Sequence, residues 1–146
     1  MPVEKFENGN WPAPARLPLG GGWSGHCTAP GHEGESPAQH ILEALCNLGY
    51  ASSCSWAPPE RAWDAVRFAV SAPSDSVAHE SGKNADADGP ARVLRLRYVC
   101  ERNHLPVAHG DLEFDLTRSA WLRRHDDARL QKMAECFLDA YRKSRT

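Results

Sequence analysis

Residues 92–116 read RVLRLRYVCERNHLPVAHGDLEFDL, and this stretch predicts the centre of the fold. Apolar and charged residues alternate over 92–102 and again over 109–116, which is the period-two pattern of half-buried strands. Asn103 and His104, directly after the first stretch, predict a hairpin centred near His104. The chain is therefore expected to contain an antiparallel pair of strands with one apolar and one charged face.

The hairpin also predicts a register between the two strands. It places Leu96 beside Leu112 on the apolar face, and Arg97 beside Asp111 on the charged face. Opposite charges directly across a strand pair stabilise it by a few tenths of a kcal/mol, so they favour this register. Because Cys100 shares the face of Leu96, its side chain is expected to point into the core.

The remaining elements predict an α+β fold. Alternation over 64–72 indicates a third strand, and a helix is expected to follow Ser36. A longer helix begins after Asp126 or Asp127 and carries a continuous apolar stripe. The stripe consists of Leu130, Met133, Ala134, Phe137, Leu138 and Tyr141. The predicted architecture is a three-stranded antiparallel meander packed by two helices.

The chain divides into an arm and one domain. Residues 1–35 are rich in glycine and proline and lack apolar periodicity, which predicts a long N-terminal coil arm. Trp11 and Trp23 are too apolar for a free tail, so the arm is expected to pack on the domain. Residues 36–146 form a single α+β domain, in which the polar stretch 73–90 is expected to be a flexible loop.

Composition excludes several classes of protein. The 146 residues are 41% hydrophobic and 25% charged, with a formal net charge of −2, as in one globular domain. This balance gives no general attraction to nucleic acid or to anionic membranes, and no apolar run approaches the roughly 20 residues that span a bilayer. The N-terminus lacks the features of a secretory signal, so the expected location is cytoplasmic, where thiols stay reduced.

Five cysteines carry the strongest chemical signal. Cys46 is expected in the last turn of the first helix and Cys54 in the loop beyond it, so their sulfurs can converge. Cys27, on the arm, and Cys100, on its strand, complete a predicted set of four thiolate ligands. Cys136 lies off the apolar stripe of the last helix and is left out of the set. The alternative is that all are ordinary small apolar residues.

The spacing of the four cysteines favours an iron–sulfur cluster of the 4Fe-4S type over zinc. No pair forms the short knuckle typical of structural zinc. Clusters accept more widely distributed cysteines in loops whose N–H groups can face the sulfurs. Zinc remains the alternative cofactor, and His26, His32 or His104 could replace one cysteine ligand.

The predicted function is that of a small metal-centre protein in a redox-sensing, electron-transfer or accessory role, with a protein partner. The alternative is a structural zinc protein that binds protein or nucleic acid through its C-terminal helix. From Arg118 onward the chain has eight Lys and Arg against four acidic residues. A third alternative is a thiol enzyme with Cys27 or Cys54 as nucleophile and His26 or His104 as base.

Overall fold

The computed structural model describes residues 2–6, 17–48, 53–75 and 92–145. In these ranges the chain is α+β, with two antiparallel sheets and two helical segments. The strands are β1 (Pro2–Lys5), β2 (Trp23–Gly25), β3 (Ala65–Asp75), β4 (Arg92–Arg102), β5 (Leu105–Asp115) and β6 (Ala120–Arg123). The helical segments are α1 (Gln39–Ile41), which continues as a π-helical turn (Leu42–Cys46), and α2 (Ala128–Lys143).

The main sheet is a meander of four strands in the order β3-β4-β5-β6, so the prediction of three strands is wrong. The fourth strand, β6, has only four residues, and of these only Trp121 is partly buried. Ser119 has a φ of 52°, which turns the chain tightly between β5 and β6. A strand this short and this exposed has too few alternating positions to produce a periodic signal.

The predicted hairpin is confirmed. Asn103 and His104 join β4 to β5 with φ values of 50° and 65°, as in the two-residue turns that suit the twist of a hairpin. Leu96 lies opposite Leu112, and Arg97 lies opposite Asp111 with 3.2 Å between Nε and Oδ1. The strand β5 begins four residues before its predicted start, because its first residues are all exposed and give no alternation.

The hydrophobic core lies between this sheet and α2. The helix begins at Asp127, whose Oδ1 accepts hydrogen bonds from the backbone N–H groups of Arg129 and Leu130 at 2.8 and 3.2 Å. This confirms Asp127 as the cap. The core is formed by Trp63, Val66, Leu94, Leu96, Cys100, Leu112, Phe114, Leu130, Ala134 and Leu138.

A second face of α2 is covered by the N-terminal segment. A Cβ added at Gly20 would lie 3.2 Å from the Cβ of Ala140, so the two backbones approach closely there. Cys136, one turn before Ala140, is only 5% exposed. Cys136 lies off the predicted apolar stripe, and it is buried all the same, because α2 is packed on more than one face. Burial raises the pKa of its thiol to about 11.

The N-terminal segment differs from the predicted coil arm. Its ends pair as β1 and β2 in a two-stranded sheet, and the N–H of Phe6 donates to the carbonyl of Gly22 at 2.9 Å. Leu17 and Trp23 are buried. Residues 7–16, which include Trp11, lie outside the described residues.

The first helix begins later than predicted. Ala38 stands at its N-cap without a side-chain bond, while the predicted cap, Ser36, places its hydroxyl 3.3 Å from Nδ1 of His26. Of the predicted loop 73–90, residues 73–75 belong to β3 and the rest lie outside the described ranges. No helix in the described ranges is long and apolar enough to cross a membrane.

Candidate functional site

A cavity of about 260 Å³ lies where the N-terminal segment meets β3 and α2. Its walls are mainly apolar, and they include side chains of Leu42, Trp56, Val66 and Met133. Binding sites for small molecules and cofactors are typically apolar clefts with a few polar groups. The polar and ionisable groups of this cavity are therefore the candidate functional residues.

Three of the four cysteines in the predicted ligand set line this cavity: Cys27, Cys46 and Cys54. The fourth, Cys100, points into the core as predicted, but it is 2% exposed and does not line the cavity. It lies opposite Val66 in the sheet, and Val66 forms part of the cavity wall. The structure therefore places three thiols in the wall of one cavity. The fourth thiol lies in the core, across the strand pair from a residue of that wall.

Cys27 stands at the base of a closed loop. Its N–H donates to the carbonyl of Glu35 at 2.8 Å, and its carbonyl accepts from the N–H of Gly34 at 3.0 Å. The N–H of Ala29 points to the Cys27 sulfur, with 3.4 Å between the two atoms. Hydrogen bonds of this kind stabilise negative charge on a sulfur, so the loop is suited to a thiolate ligand.

Cys46 is held in place by its neighbour Asn47. The Asn47 side chain accepts from the N–H of Trp23 at 2.7 Å and donates to the carbonyls of Trp23 and Leu42 at 2.9 and 3.0 Å. These bonds fix the end of the first helix against β2, which leads directly to Cys27. The π-helical turn widens the helix before Cys46, and the N–H of Asn47 reaches the carbonyl of Leu42 five residues back.

The loop of Cys54 is attached to the loop of Cys27 by a ring stack. Trp56 lies parallel to His32, with 4.3 Å between ring centroids and 8° between planes. The N–H of Ala57 donates to the carbonyl of Cys54 at 3.2 Å and closes a turn. The stack and the Asn47 bonds together hold the three thiol-bearing segments around one space.

The histidines considered as replacement ligands have three different positions. His26 lines the cavity. His32 lies on Trp56, with its Nδ1 3.2 Å from Oε1 of Glu35, and it does not line the cavity. His104 lies in the turn of the β4–β5 hairpin, outside the cavity wall. Among the three, His26 alone stands beside the thiols.

The three thiols influence one another electrostatically. Partial desolvation raises the pKa of the Cys46 thiol, and the proximity of Cys54 and then of Cys27 raises it further. A thiolate at Cys46 is therefore disfavoured by thiolates at Cys54 and Cys27. In the described residues, no group of three or more His, Cys, Asp or Glu side chains is arranged to hold a metal ion. The thiols border a common space without meeting at one point.

The cavity wall also carries positive charge, at Arg129. Arg129 lies over the ring of Trp63, with its guanidinium carbon 4.0 Å from the ring centroid, and both residues line the cavity. Nearby, Asp64 pairs with Arg61 and accepts from the N–H of Asn103 at 2.7 Å. Burial opposes ionisation of Asp64, but the bonds from Asn103 and Arg61 outweigh it and lower the pKa of this carboxyl.

Comparisons with protein-family models, curated proteins and solved structures find no match for this chain. The candidate site therefore rests on its own geometry. Sequence reasoning missed Asn47, Trp63 and Arg129 as site residues. None of them lies in a motif, and the pairing of Trp63 with Arg129 joins residues far apart in the chain.

Proposed function

We propose that Cys27, Cys46 and Cys54 hold an iron–sulfur cluster of the 4Fe-4S type, in a cytoplasmic protein with a redox or electron-transfer role. The observation that carries this proposal is the convergence of three thiols, from three separately anchored segments, on one cavity of about 260 Å³. Thiolates are the usual ligands of such clusters.

The size of the cavity favours a polyatomic group. A single zinc ion binds sulfur at about 2.3 Å, so its ligand sulfurs must stand within about 4 Å of one another. A cluster lies between its cysteines and keeps their sulfurs further apart. Three thiols around a cavity of this volume fit the second arrangement better.

Electrostatics and hydrogen bonding support the same reading. The pKa of the Cys46 thiol is raised by burial and by the nearby thiols of Cys54 and Cys27, and a bound cationic centre would favour its deprotonation. Ala29 supplies an N–H to one sulfur.

The proposal takes three cysteines as ligands and leaves Cys100 in the core. Burial raises the pKa of the Cys100 thiol, with a smaller contribution from Asp127. A buried thiol that stays protonated behaves as a small apolar side chain. Replacement of Cys100 by serine therefore tests the fourth position of the predicted ligand set.

The experiment is anaerobic purification and reconstitution with iron and sulfide, followed by iron and sulfide assays and a visible spectrum. We expect broad absorbance near about 400 nm. Cys27→Ser, Cys46→Ser and Cys54→Ser should each lose most of the bound iron. Cys136→Ser is the matched control, because Cys136 is a buried cysteine outside the cavity, and it should keep the iron.

The zinc alternative is favoured by one observation, the presence of His26 beside the three thiols. Three cysteines and one histidine form a common structural zinc set. If the protein is colourless and contains one zinc, and if His26→Ala and Cys27→Ser each lose that zinc, the zinc site is supported and the cluster is contradicted. A protein that binds neither metal after reconstitution would contradict both.

The binding-module alternative loses support from the contacts of the basic C-terminal residues. Arg124 and Lys132 contact Glu135, and Lys143 contacts Asp139. Arg118 contacts Asp115, and Arg129, Arg142 and Arg145 lie over aromatic rings. Much of the positive charge that the sequence offers to an acidic partner is therefore engaged within the chain.

A further inference from the structure

Arg129 differs from most other arginines in the structure. Arg61, Arg97 and Arg124 each contact a carboxylate, whereas Arg129 has no ion pair within the described residues. Its guanidinium lies instead over Trp63, at 4.0 Å from the ring centroid. This stacking holds the charged group in one orientation at the wall of the cavity and leaves its N–H donors unused by carboxylates.

The charges around the cavity leave Arg129 without a counter-charge in the wall. Arg61 and Asp64 form a pair, so their charges cancel. Asp127, two residues before Arg129, does not line the cavity, and one of its oxygens caps α2. The three thiols are neutral while they stay protonated. The wall near Trp63 therefore presents a positive charge without a counter-charge to a mainly apolar space.

We propose that this end of the cavity binds the carboxylate of a small organic acid, whose apolar body lies along the cavity wall. The guanidinium fork matches a carboxylate with two parallel hydrogen bonds, and stacking on Trp63 orients it in advance. Val66 and Met133 supply apolar wall beside it. This inference goes beyond the cluster and does not depend on it, because Arg129 and Trp63 are not among its proposed ligands.

The test uses the full chain and benzoate as the probe, with benzamide as an uncharged molecule of the same shape. Binding is measured by ligand-observed NMR and by tryptophan fluorescence. We expect benzoate to bind at least tenfold more tightly than benzamide. Arg129→Gln should weaken benzoate binding at least tenfold, and Arg129→Lys should fall between, because it keeps the charge and loses the fork.

Arg124→Gln is the matched control, since Arg124 pairs with Glu135 and does not line the cavity. It should leave benzoate affinity unchanged. Thermal unfolding of each variant verifies that the fold is kept, and Arg129→Lys tests the site if Arg129→Gln does not fold. Cys27→Ser should retain benzoate binding, which separates this proposal from the cluster.

Three results would overturn the inference. Equal binding of benzoate and benzamide would reduce the site to an apolar cavity. Equal loss of binding in Arg124→Gln and Arg129→Gln would indicate general surface charge. An absence of benzoate binding would contradict the carboxylate site. If Arg129→Gln then also loses iron, the role of Arg129 is to balance the negative charge of the thiolates.

Discussion

The two halves of this molecule are stabilised in different ways. The β3–β6 sheet and α2 are joined by repeating backbone ladders and a continuous set of buried apolar side chains. The cysteine-bearing segments, 17–48 and 53–63, have few regular elements and depend on single contacts such as the Asn47 bonds and the His32–Trp56 stack. Three of the five cysteines, Cys27, Cys46 and Cys54, lie in these segments. The other two, Cys100 and Cys136, are buried in the sheet and in α2.

This difference has an energetic consequence. Many similar contacts share the stability of the sheet half, so its unfolding is expected to be cooperative and global. A segment anchored by a few individual bonds can open locally at lower cost. The two halves should therefore respond differently to substitutions of similar size.

The largest effect is expected in the sheet half. Leu96 is 0% exposed at the centre of the core, so Leu96→Ala should lower the free energy of unfolding by about 2–5 kcal/mol. Urea denaturation followed by circular dichroism measures this loss. Leu105→Ala is the control, because Leu105 is 67% exposed on the same sheet, and it should change stability by less than about 0.5 kcal/mol. Similar losses in both variants would contradict the assigned core.

The next effect lies where the two halves meet, at Cys136. Its thiol has a pKa raised from 9.0 to about 11 by burial, so the folded chain retains a proton that the unfolded chain releases. The resulting stability is fully present below pH 9.0 and is lost as the pH rises toward about 11. The loss amounts to about 2–3 kcal/mol, measured by urea denaturation across this range. Cys136→Ala should remove this part of the alkaline decline, and an unchanged decline would argue against it.

The smallest effect on global stability, and the most local one, is expected at Asn47. Asn47→Ala removes three hydrogen bonds between the helix end and β2, which costs about 1–3 kcal/mol. Amide hydrogen exchange should accelerate at Trp23 and in the first helix, while β4 and α2 keep their protection. Gln39→Ala, which removes an exposed bond to Glu43 in the same helix, is the control. Uniform acceleration over the whole chain would show that the two halves unfold together.

The sequence predicts the sheet half well because periodicity records which side of an element faces the core. The β4–β5 hairpin, its register and the start of α2 follow from alternation and a capping residue. The strand β6 was not predicted, because its four mostly exposed residues show no alternation of apolar and polar side chains. The burial of Cys136 did not follow from the apolar stripe, because α2 has a second buried face covered by the N-terminal segment.

The candidate site was predictable only in part. Cys46 and Cys54 could be brought together because they flank one helix end. The alternation of β4 correctly predicts that Cys100 is buried in the core. Burial in the core does not bring a thiol close to other thiols, and Cys100 lies outside the cavity. The Arg129–Trp63 contact depends on how α2 crosses the sheet, which no local pattern records.

The number of residues in the π-helical turn that ends at Cys46 helps to determine the geometry of the site. A turn of this kind holds one residue more than an α-helical turn, so each residue after it is rotated relative to a regular helix. The same residues in regular α-helical spacing would turn Asn47 by about 100° further around the axis. The one extra residue in this turn therefore directs the Asn47 side chain at the backbone of Trp23 and sets the position of the neighbouring Cys46 thiol.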